Sequence, residues 1–99
     1  MGGDGTAVSG PVVRRTVTVG NRRGLHARAA AKFVNLASSF DAEITVVKGE
    51  MNVSGRSIMG LMMLAAGPGS QLELRATGPQ AEAALSAVAE LFARNFDET

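Results

Sequence analysis

The sequence predicts an α+β fold: an open-faced β-sandwich in which a four-stranded antiparallel sheet carries three helices on one face. Three observations lead to this prediction. Four short segments alternate apolar and polar residues, which is typical of half-buried strands. Three other segments repeat apolar residues at helical spacing. The segments follow one another in the order β-α-β-β-α-β-α, and two of the strands are joined by a short turn that favours antiparallel pairing.

The first strand is predicted over residues 13–19, where valines share one face and threonines the other. Residues 21–24 (Asn-Arg-Arg-Gly) interrupt it. The first helix is predicted over 27–39, because apolar residues recur at helical spacing and the segment is rich in alanine. Its apolar stripe comprises Ala30, Phe33, Val34 and Ala37.

The second and third strands are predicted over 42–47 and 51–54. Residues 48–50 (Lys-Gly-Glu) are short and contain glycine, so the two strands are expected to form an antiparallel hairpin. A two-turn helix is predicted over 57–64, with Ser57 as its N-cap. The Gly-Pro-Gly segment that follows at 67–69 ends it.

The fourth strand is predicted over 71–77, with Leu72, Leu74 and Ala76 facing inward. Gly78 and Pro79 are expected to open the last helix, since proline suits a first helical turn. That helix is predicted to run to about Arg94 along an apolar stripe. The stripe comprises Ala81, Ala84, Leu85, Val88, Leu91 and Phe92.

The composition bounds the domain organisation and the function classes. With 99 residues the chain is expected to form one domain over 11–99, preceded by a flexible tail over 1–10. Ten basic and nine acidic residues, with no Tyr or Trp, argue against a nucleic-acid-binding module. The absence of cysteine excludes thiol chemistry and disulfides. With neither a signal peptide nor a run of about 20 apolar residues, we expect a cytoplasmic protein with no membrane insertion.

The single histidine, His26, stands between a glycine-ended loop and the first helix. If His26 is the N-cap, the backbone N–H groups of Ala27, Arg28 and Ala29 have no partners within the helix. Together with the helix dipole they form an anion site, to which the Arg28 guanidinium adds phosphate-binding geometry. The dipole favours a neutral imidazole, which offers a nucleophilic nitrogen. His26 is therefore a candidate carrier of a phosphoryl group.

From the residues alone, a second interpretation stays open, in which His26 only caps the helix or lies on the surface. No second histidine or cysteine is present to complete a metal site, and no cofactor is expected. A GxxxxGK[ST] loop for nucleotides is absent. No carboxylate is close to His26 in sequence, and the nearest one downstream is Asp41. The chain is thus expected to act as a co-substrate of other proteins and not as an enzyme.

Residues 24–30 (Gly-Leu-His-Ala-Arg-Ala-Ala) resemble the active-site signature of the HPr family, the histidine-containing phosphocarriers of the phosphoenolpyruvate-dependent phosphotransferase system. Residues 55–62 (Gly-Arg-Ser-Ile-Met-Gly-Leu-Met) resemble the regulatory-serine motif of the same family. The spacing of the two motifs and the order of elements also agree. One departure is Ala29, where the family usually has proline.

The resemblance implies that His26 accepts a phosphoryl group on Nδ1 from phosphorylated enzyme I and passes it to IIA-type acceptor proteins. It implies that Arg28 contacts the phosphate, with backbone support from Ala27 and Arg28. It also implies that Ser57 is a target of HPr kinase/phosphorylase; the alternative is that Ser57 serves only as a helix N-cap. Sugar uptake and nitrogen- or carbon-linked regulation both stay open as the pathway.

The second helix has more apolar residues than one buried face can hold. Leu61 and Leu64 are expected to pack in the core, while Ile58, Met59 and Met62 are expected to form an exposed docking patch. Arg23 is a further docking candidate that would steer acidic partners; plain solvated charge is the alternative. The protein is expected to be a monomer. The competing hypothesis is a regulatory interaction protein of the same fold that never turns over phosphate.

Overall fold

The computed structural model describes residues 11–98, so the predicted tail over 1–10 and Thr99 lie outside the described residues. The strands are β1 (Val13–Thr18), β2 (Glu43–Lys48), β3 (Met51–Ser54) and β4 (Gln71–Thr77). The helices are α1 (Ala27–Ala37), α2 (Ile58–Met63) and α3 (Ala81–Ala93), followed by a single 3₁₀ turn, Asn95–Asp97. The predicted order of elements and the open-faced sandwich are confirmed.

The four strands form one sheet in the order β1-β4-β2-β3, and every neighbouring pair is antiparallel. Apolar residues stand opposite one another across the sheet: Val17 faces Leu72, and Val46 faces Leu74. All four are buried. Because side chains alternate between the two faces of a strand, this register sends the polar residues to the open face. The helices cover only the apolar face.

The core lies between that face and the helices α1 and α3. Phe33 of α1 packs edge-to-face on Phe92 of α3, with ring centroids 6.1 Å apart. Both rings are buried. The apolar stripe predicted for the last helix is buried throughout, as is the first helix's stripe except for the half-buried Val34. Burial of these stripes positions the N-terminus of α1 at one end of the sheet.

Several predicted boundaries differ from the structure by one or two residues. Helix α1 ends at Ala37, two residues early, with Ser38 as its C-cap. Strand β2 lies one residue later than predicted. Pro79 is not in the first turn of α3, which begins at Ala81. The N–H of Ala81 bonds to the carbonyl of Gly78 at 3.2 Å, so Pro79 occupies a turn that precedes the helix, where its fixed φ also fits.

The helices are short, and the longest, α3, has 13 residues. No helix between residues 11 and 98 is long and apolar enough to cross a membrane. Within the same residues, no three His, Cys, Asp or Glu side chains come together as a metal ion would require. His26 nevertheless has one carboxylate neighbour, that of Glu98, which lies 72 positions away in the sequence.

Candidate functional site

His26 occupies the N-cap of α1, as the sequence predicts, with an extended backbone (φ −76°, ψ 179°). Its ring nitrogen Nδ1 accepts a hydrogen bond from the backbone N–H of Arg28 at 3.2 Å. Its carbonyl oxygen accepts the first helical bond, from the N–H of Ala30 at 2.8 Å. A ring nitrogen that accepts from an N–H carries a lone pair and no proton. Nδ1 is therefore the unprotonated nitrogen, and it points at the helix N-terminus.

The loop before His26 is held in place by hydrogen bonds on both of its sides. Gly24 has a positive φ of 66°, and the next N–H, that of Leu25, donates to the carbonyl of Ala66 at 2.9 Å. A β-carbon at Gly24 would overlap this same carbonyl oxygen. On the other side, Asn21 Nδ2 donates to the carbonyl of Gly24 at 2.8 Å. Glycine is thus required here by both conformation and space, which holds His26 in place.

Glu98 is the residue that the sequence analysis missed. Its Oε2 lies 2.5 Å from His26 Nε2, although the two residues are 72 positions apart. Its Oε1 accepts a hydrogen bond from Asn21 Nδ2 at 3.0 Å. The hydrogen bond from Asn21, which has the larger effect, and the one from His26 hold the pKa of the Glu98 carboxyl below its ordinary value of 4.5. Glu98 is therefore ionised at neutral pH, and Nε2 carries the proton that they share.

The 3₁₀ turn after α3 delivers Glu98 to the site. All three residues of Asn95–Asp97 have positive φ, between 54° and 62°, which is uncommon for residues other than glycine. Phe96 anchors the turn: its ring is fully buried and packs on Phe92 with centroids 4.8 Å apart. Lys32 Nζ donates to the carbonyl of Phe96 at 2.7 Å. Core packing and a lysine from α1 thus offset the backbone strain.

Four cationic side chains and two carboxylates, those of Asp97 and Glu98, line a cleft of about 490 Å³ beside the N-terminus of α1. The cationic residues are Arg22, Arg23, Arg28 and Lys32. Arg28 is exposed and forms no ion pair within residues 11–98, which leaves its guanidinium available to an anion. The structure thus places the predicted residues Arg23 and Arg28 together near His26, with Ala27 as the first residue of the helix.

Ser57 caps α2, because its Oγ accepts a hydrogen bond from the N–H of Gly60 at 2.9 Å. The side chains that follow divide as predicted: Leu61 and Leu64 are buried. The exposed ones form what we call the α2 patch, whose members are Ile58, Met59, Met62 and Met63. Met63, 64% exposed, was not among the predicted residues.

The α2 patch lies next to His26 on the protein surface. Met62 lines a second cleft, of about 280 Å³, together with Arg23, Leu25 and His26. The imidazole therefore lies between an apolar surface and the basic cleft. A partner that reaches His26 can contact both surfaces at once, which is the arrangement expected of a docking face with an apolar centre and a charged rim.

The chain matches a family model described as the PTS HPr component phosphorylation site over residues 13–94. It is similar to the phosphocarrier protein NPr of Shewanella violacea, with 50% identity over 86 residues, 87% of this chain and 94% of the relative. It is also similar to the phosphocarrier protein HPr of Treponema pallidum, with 51% identity over 87 residues, 88% of this chain and 99% of the relative.

The fold is likewise similar to a crystal structure of HPr from Thermoanaerobacter tengcongensis. That comparison has a TM-score of 0.84 and 39% sequence identity, and it covers 88% of this chain and 98% of the other. The similarity in sequence and in structure extends over nearly the same share of the chain. It includes the helix that His26 caps, since the family model spans all of α1.

Proposed function

This chain belongs to the HPr family of phosphocarrier proteins of the phosphotransferase system, and from that premise we propose that its phosphoryl group is carried on Nδ1 of His26. The observation that carries the proposal is the hydrogen bond from the N–H of Arg28 to Nδ1. It leaves the lone pair of Nδ1 at the helix N-terminus, where a phosphoryl group is stabilised as soon as it arrives.

The chemistry follows from this geometry. The lone pair of Nδ1 forms a bond to phosphorus, and the bond between phosphorus and the donor breaks, its electron pair leaving with the donor. As this bond forms, the Arg28 N–H releases the lone pair of Nδ1 and, with the N–H of Ala27, can donate to phosphoryl oxygens. The Arg28 guanidinium contacts the same oxygens from the basic cleft. In transfer to the acceptor, a nucleophile of the acceptor forms the new bond to phosphorus, and the electron pair of the broken N–P bond returns to Nδ1.

The proposed donor is phosphorylated enzyme I, charged by phosphoenolpyruvate, and the proposed acceptors are IIA-type proteins. Relatives named HPr and NPr match this chain equally well, so the proposal concerns the transfer step that both share, whether it serves sugar uptake or regulation. Arg23 and the α2 patch would contact these partners in turn, because flexible methionines adapt to unlike surfaces. We further propose that the protein acts in the cytoplasm as a monomeric co-substrate.

Intact-protein mass spectrometry tests the proposal. After incubation with phosphoenolpyruvate and the enzyme I of the same organism, the chain should gain the mass of one phosphoryl group. The gain should disappear on acid treatment and map to the peptide that contains His26. The same enzyme I must charge a second carrier in parallel. No gain beside a charged second carrier would refute the proposal and favour the regulatory interaction protein.

Ser57 is proposed as a regulatory phosphorylation site for an HPr kinase/phosphorylase. Ser57→Ala removes the cap of α2 and should lower the free energy of unfolding by about 1 kcal/mol. Ser57→Asp keeps a capping oxygen and adds negative charge beside the α2 patch, so it should retain stability but accept phosphoryl groups from enzyme I more slowly. Urea unfolding and the mass time course separate the two effects. Equal transfer rates in Ser57→Asp and the unsubstituted chain would contradict a regulatory charge effect.

A further inference from the structure

The methionines between residues 11 and 98 lie on the surface and not in the core. Met51 is 41% exposed, Met62 42%, Met63 64% and Met59 71%. The buried apolar core of the same part of the chain consists of Ala, Val, Leu, Ile and Phe. Methionine is a flexible apolar residue that normally fills gaps in such a core. Its restriction to the surface here indicates a use other than core packing.

Three of these methionines belong to the α2 patch. Met59 stands three residues before Met62 and four before Met63, and these are the spacings at which side chains meet on a helix surface. Met62 also lines the cleft of about 280 Å³ that contains His26. Met51 lies on β3 and does not line that cleft. Three accessible thioether groups are therefore grouped on the helix beside His26.

We infer that the α2 patch is a site of reversible oxidation, at which a peroxide converts Met59, Met62 and Met63 to methionine sulfoxide and so weakens docking of the phosphoryl donor. This inference rests on the proposed function, because it takes the α2 patch as a surface that the donor contacts. Cysteine, the other sulfur-containing target of peroxides, is absent from the chain. The sulfur that a peroxide can oxidise in this protein is therefore that of methionine.

The chemical step is the transfer of one oxygen atom. A lone pair of the thioether sulfur forms a bond to one oxygen of hydrogen peroxide, and the O–O bond breaks. Its electron pair leaves with the second oxygen as hydroxide, which takes the proton of the oxygen bound to sulfur and forms water. Sulfur is oxidised by two electrons, and the peroxide is reduced by two. Methionine sulfoxide reductases, with a thiol as reductant, reverse the change.

Oxidation changes the surface of α2 and not its attachment to the core. The thioether sulfur is a weak hydrogen-bond acceptor, whereas the sulfoxide is polar. In the free protein water can hydrate the new oxygens, since the three side chains are exposed, while the buried Leu61 and Leu64 still hold α2 on the core. At an apolar docking face the same oxygens would lose water without gaining a partner, which opposes association.

Substitution by leucine separates the role of sulfur from the shape of the patch. The triple variant Met59→Leu, Met62→Leu and Met63→Leu keeps a similar apolar volume and helix preference but offers the peroxide no sulfur on α2. Met51→Leu is the matched control, because it removes an exposed methionine of β3 and leaves those of α2 in place. Each protein is treated with hydrogen peroxide, which catalase removes before enzyme I is added.

Peptide mass spectrometry locates the added oxygens, and the mass time course with enzyme I gives the rate of phosphorylation. In the unsubstituted chain all three α2 methionines should be oxidised, and the rate should fall roughly 10-fold or more, because buried oxygens without partners weaken docking by that order. Met51→Leu should lose the same factor. The oxidised triple variant should keep its own untreated rate. Treatment of the oxidised unsubstituted chain with the reductases should restore its rate.

The results distinguish this inference from the carrier function. Equal rates before and after full oxidation of the α2 sulfurs would overturn the inference and leave the carrier function standing. An equal loss of rate in the oxidised triple variant would also overturn it, because the damage would then lie outside α2. A lowered midpoint of urea unfolding in the oxidised chain would do the same, because the loss would then come from the fold.

Two further results would count against the inference. Sulfurs that resist a peroxide concentration sufficient to oxidise free methionine would refute the α2 patch as an oxidation site. If the untreated chain gains no phosphoryl group beside a charged second carrier, the proposed function fails and the inference fails with it.

Discussion

His26→Asn is expected to abolish phosphorylation and leave the fold intact. Asparagine is among the best N-cap residues, and its side-chain oxygen can accept the N–H of Arg28 in place of Nδ1. Its amide nitrogen is not a nucleophile, because its lone pair is delocalised into the carbonyl. The phosphoryl gain seen with enzyme I should therefore fall below detection, while the midpoint of urea unfolding stays close to that of the unsubstituted chain.

His26→Ala is the companion variant. It loses the nucleophile and the cap together, so it should be less stable than His26→Asn by about 1 kcal/mol. Both variants lose the contact with Glu98, so the difference between them isolates the cap. Phosphoryl gain in either variant would place the carrier residue elsewhere. Loss of the folded state in both would show that the histidine is mainly structural.

Periodic patterns were sufficient to predict the fold. In β4 the apolar residues alternate with polar ones, and in α3 they recur at helical spacing, so in each element they lie on one face. That face is buried in the structure, as the spacing predicts. Boundaries were less predictable because tertiary contacts set them. Pro79 fits a first helical turn by its own conformation, but the N–H of Gln80 bonds to the carbonyl of Asp41, which draws the chain into a turn and delays α3.

The local half of the site was also predictable. A residue that caps a helix and the N–H groups of the first turn are neighbours in sequence, so His26 and Arg28 could be placed together without knowledge of the tertiary structure. The same holds for the division of α2 into a buried and an exposed side, where Leu61 and Leu64 are three residues apart. The family resemblance then supplied the chemistry that capping alone left open.

The contact between His26 and Glu98 has no sequence signal that we recognise. Glu98 reaches His26 only because three consecutive non-glycine residues, Asn95–Asp97, adopt positive φ. Asparagine and aspartate tolerate that region, but phenylalanine does not favour it, and local rules predict no such turn. The ring of Phe96, buried against Phe92, supplies the stabilisation. A contact across 72 positions that depends on core packing is visible only in the folded structure.

Gly24→Ala is expected to lower the free energy of unfolding by about 2–5 kcal/mol and to slow phosphorylation with it. An alanine there must adopt φ near 66°, and its β-carbon would overlap the carbonyl oxygen of Ala66 and approach Gly67 Cα to 2.9 Å. Neither backbone atom can turn aside as a side chain would. The loop must therefore move away, which breaks the bond from the Leu25 N–H and displaces His26.

Gly49→Ala is the matched control for this steric effect. Gly49, in the β2–β3 turn, has a similar φ of 59°, but no atom lies within 4 Å of its β-carbon position. It should lose only about 1 kcal/mol, the strain of a left-handed alanine, and keep its phosphorylation rate. Urea unfolding and the mass time course on both variants give the comparison. If Gly24→Ala is no worse than Gly49→Ala in either measurement, the close approach of the Gly24 loop to Ala66 does not position the histidine.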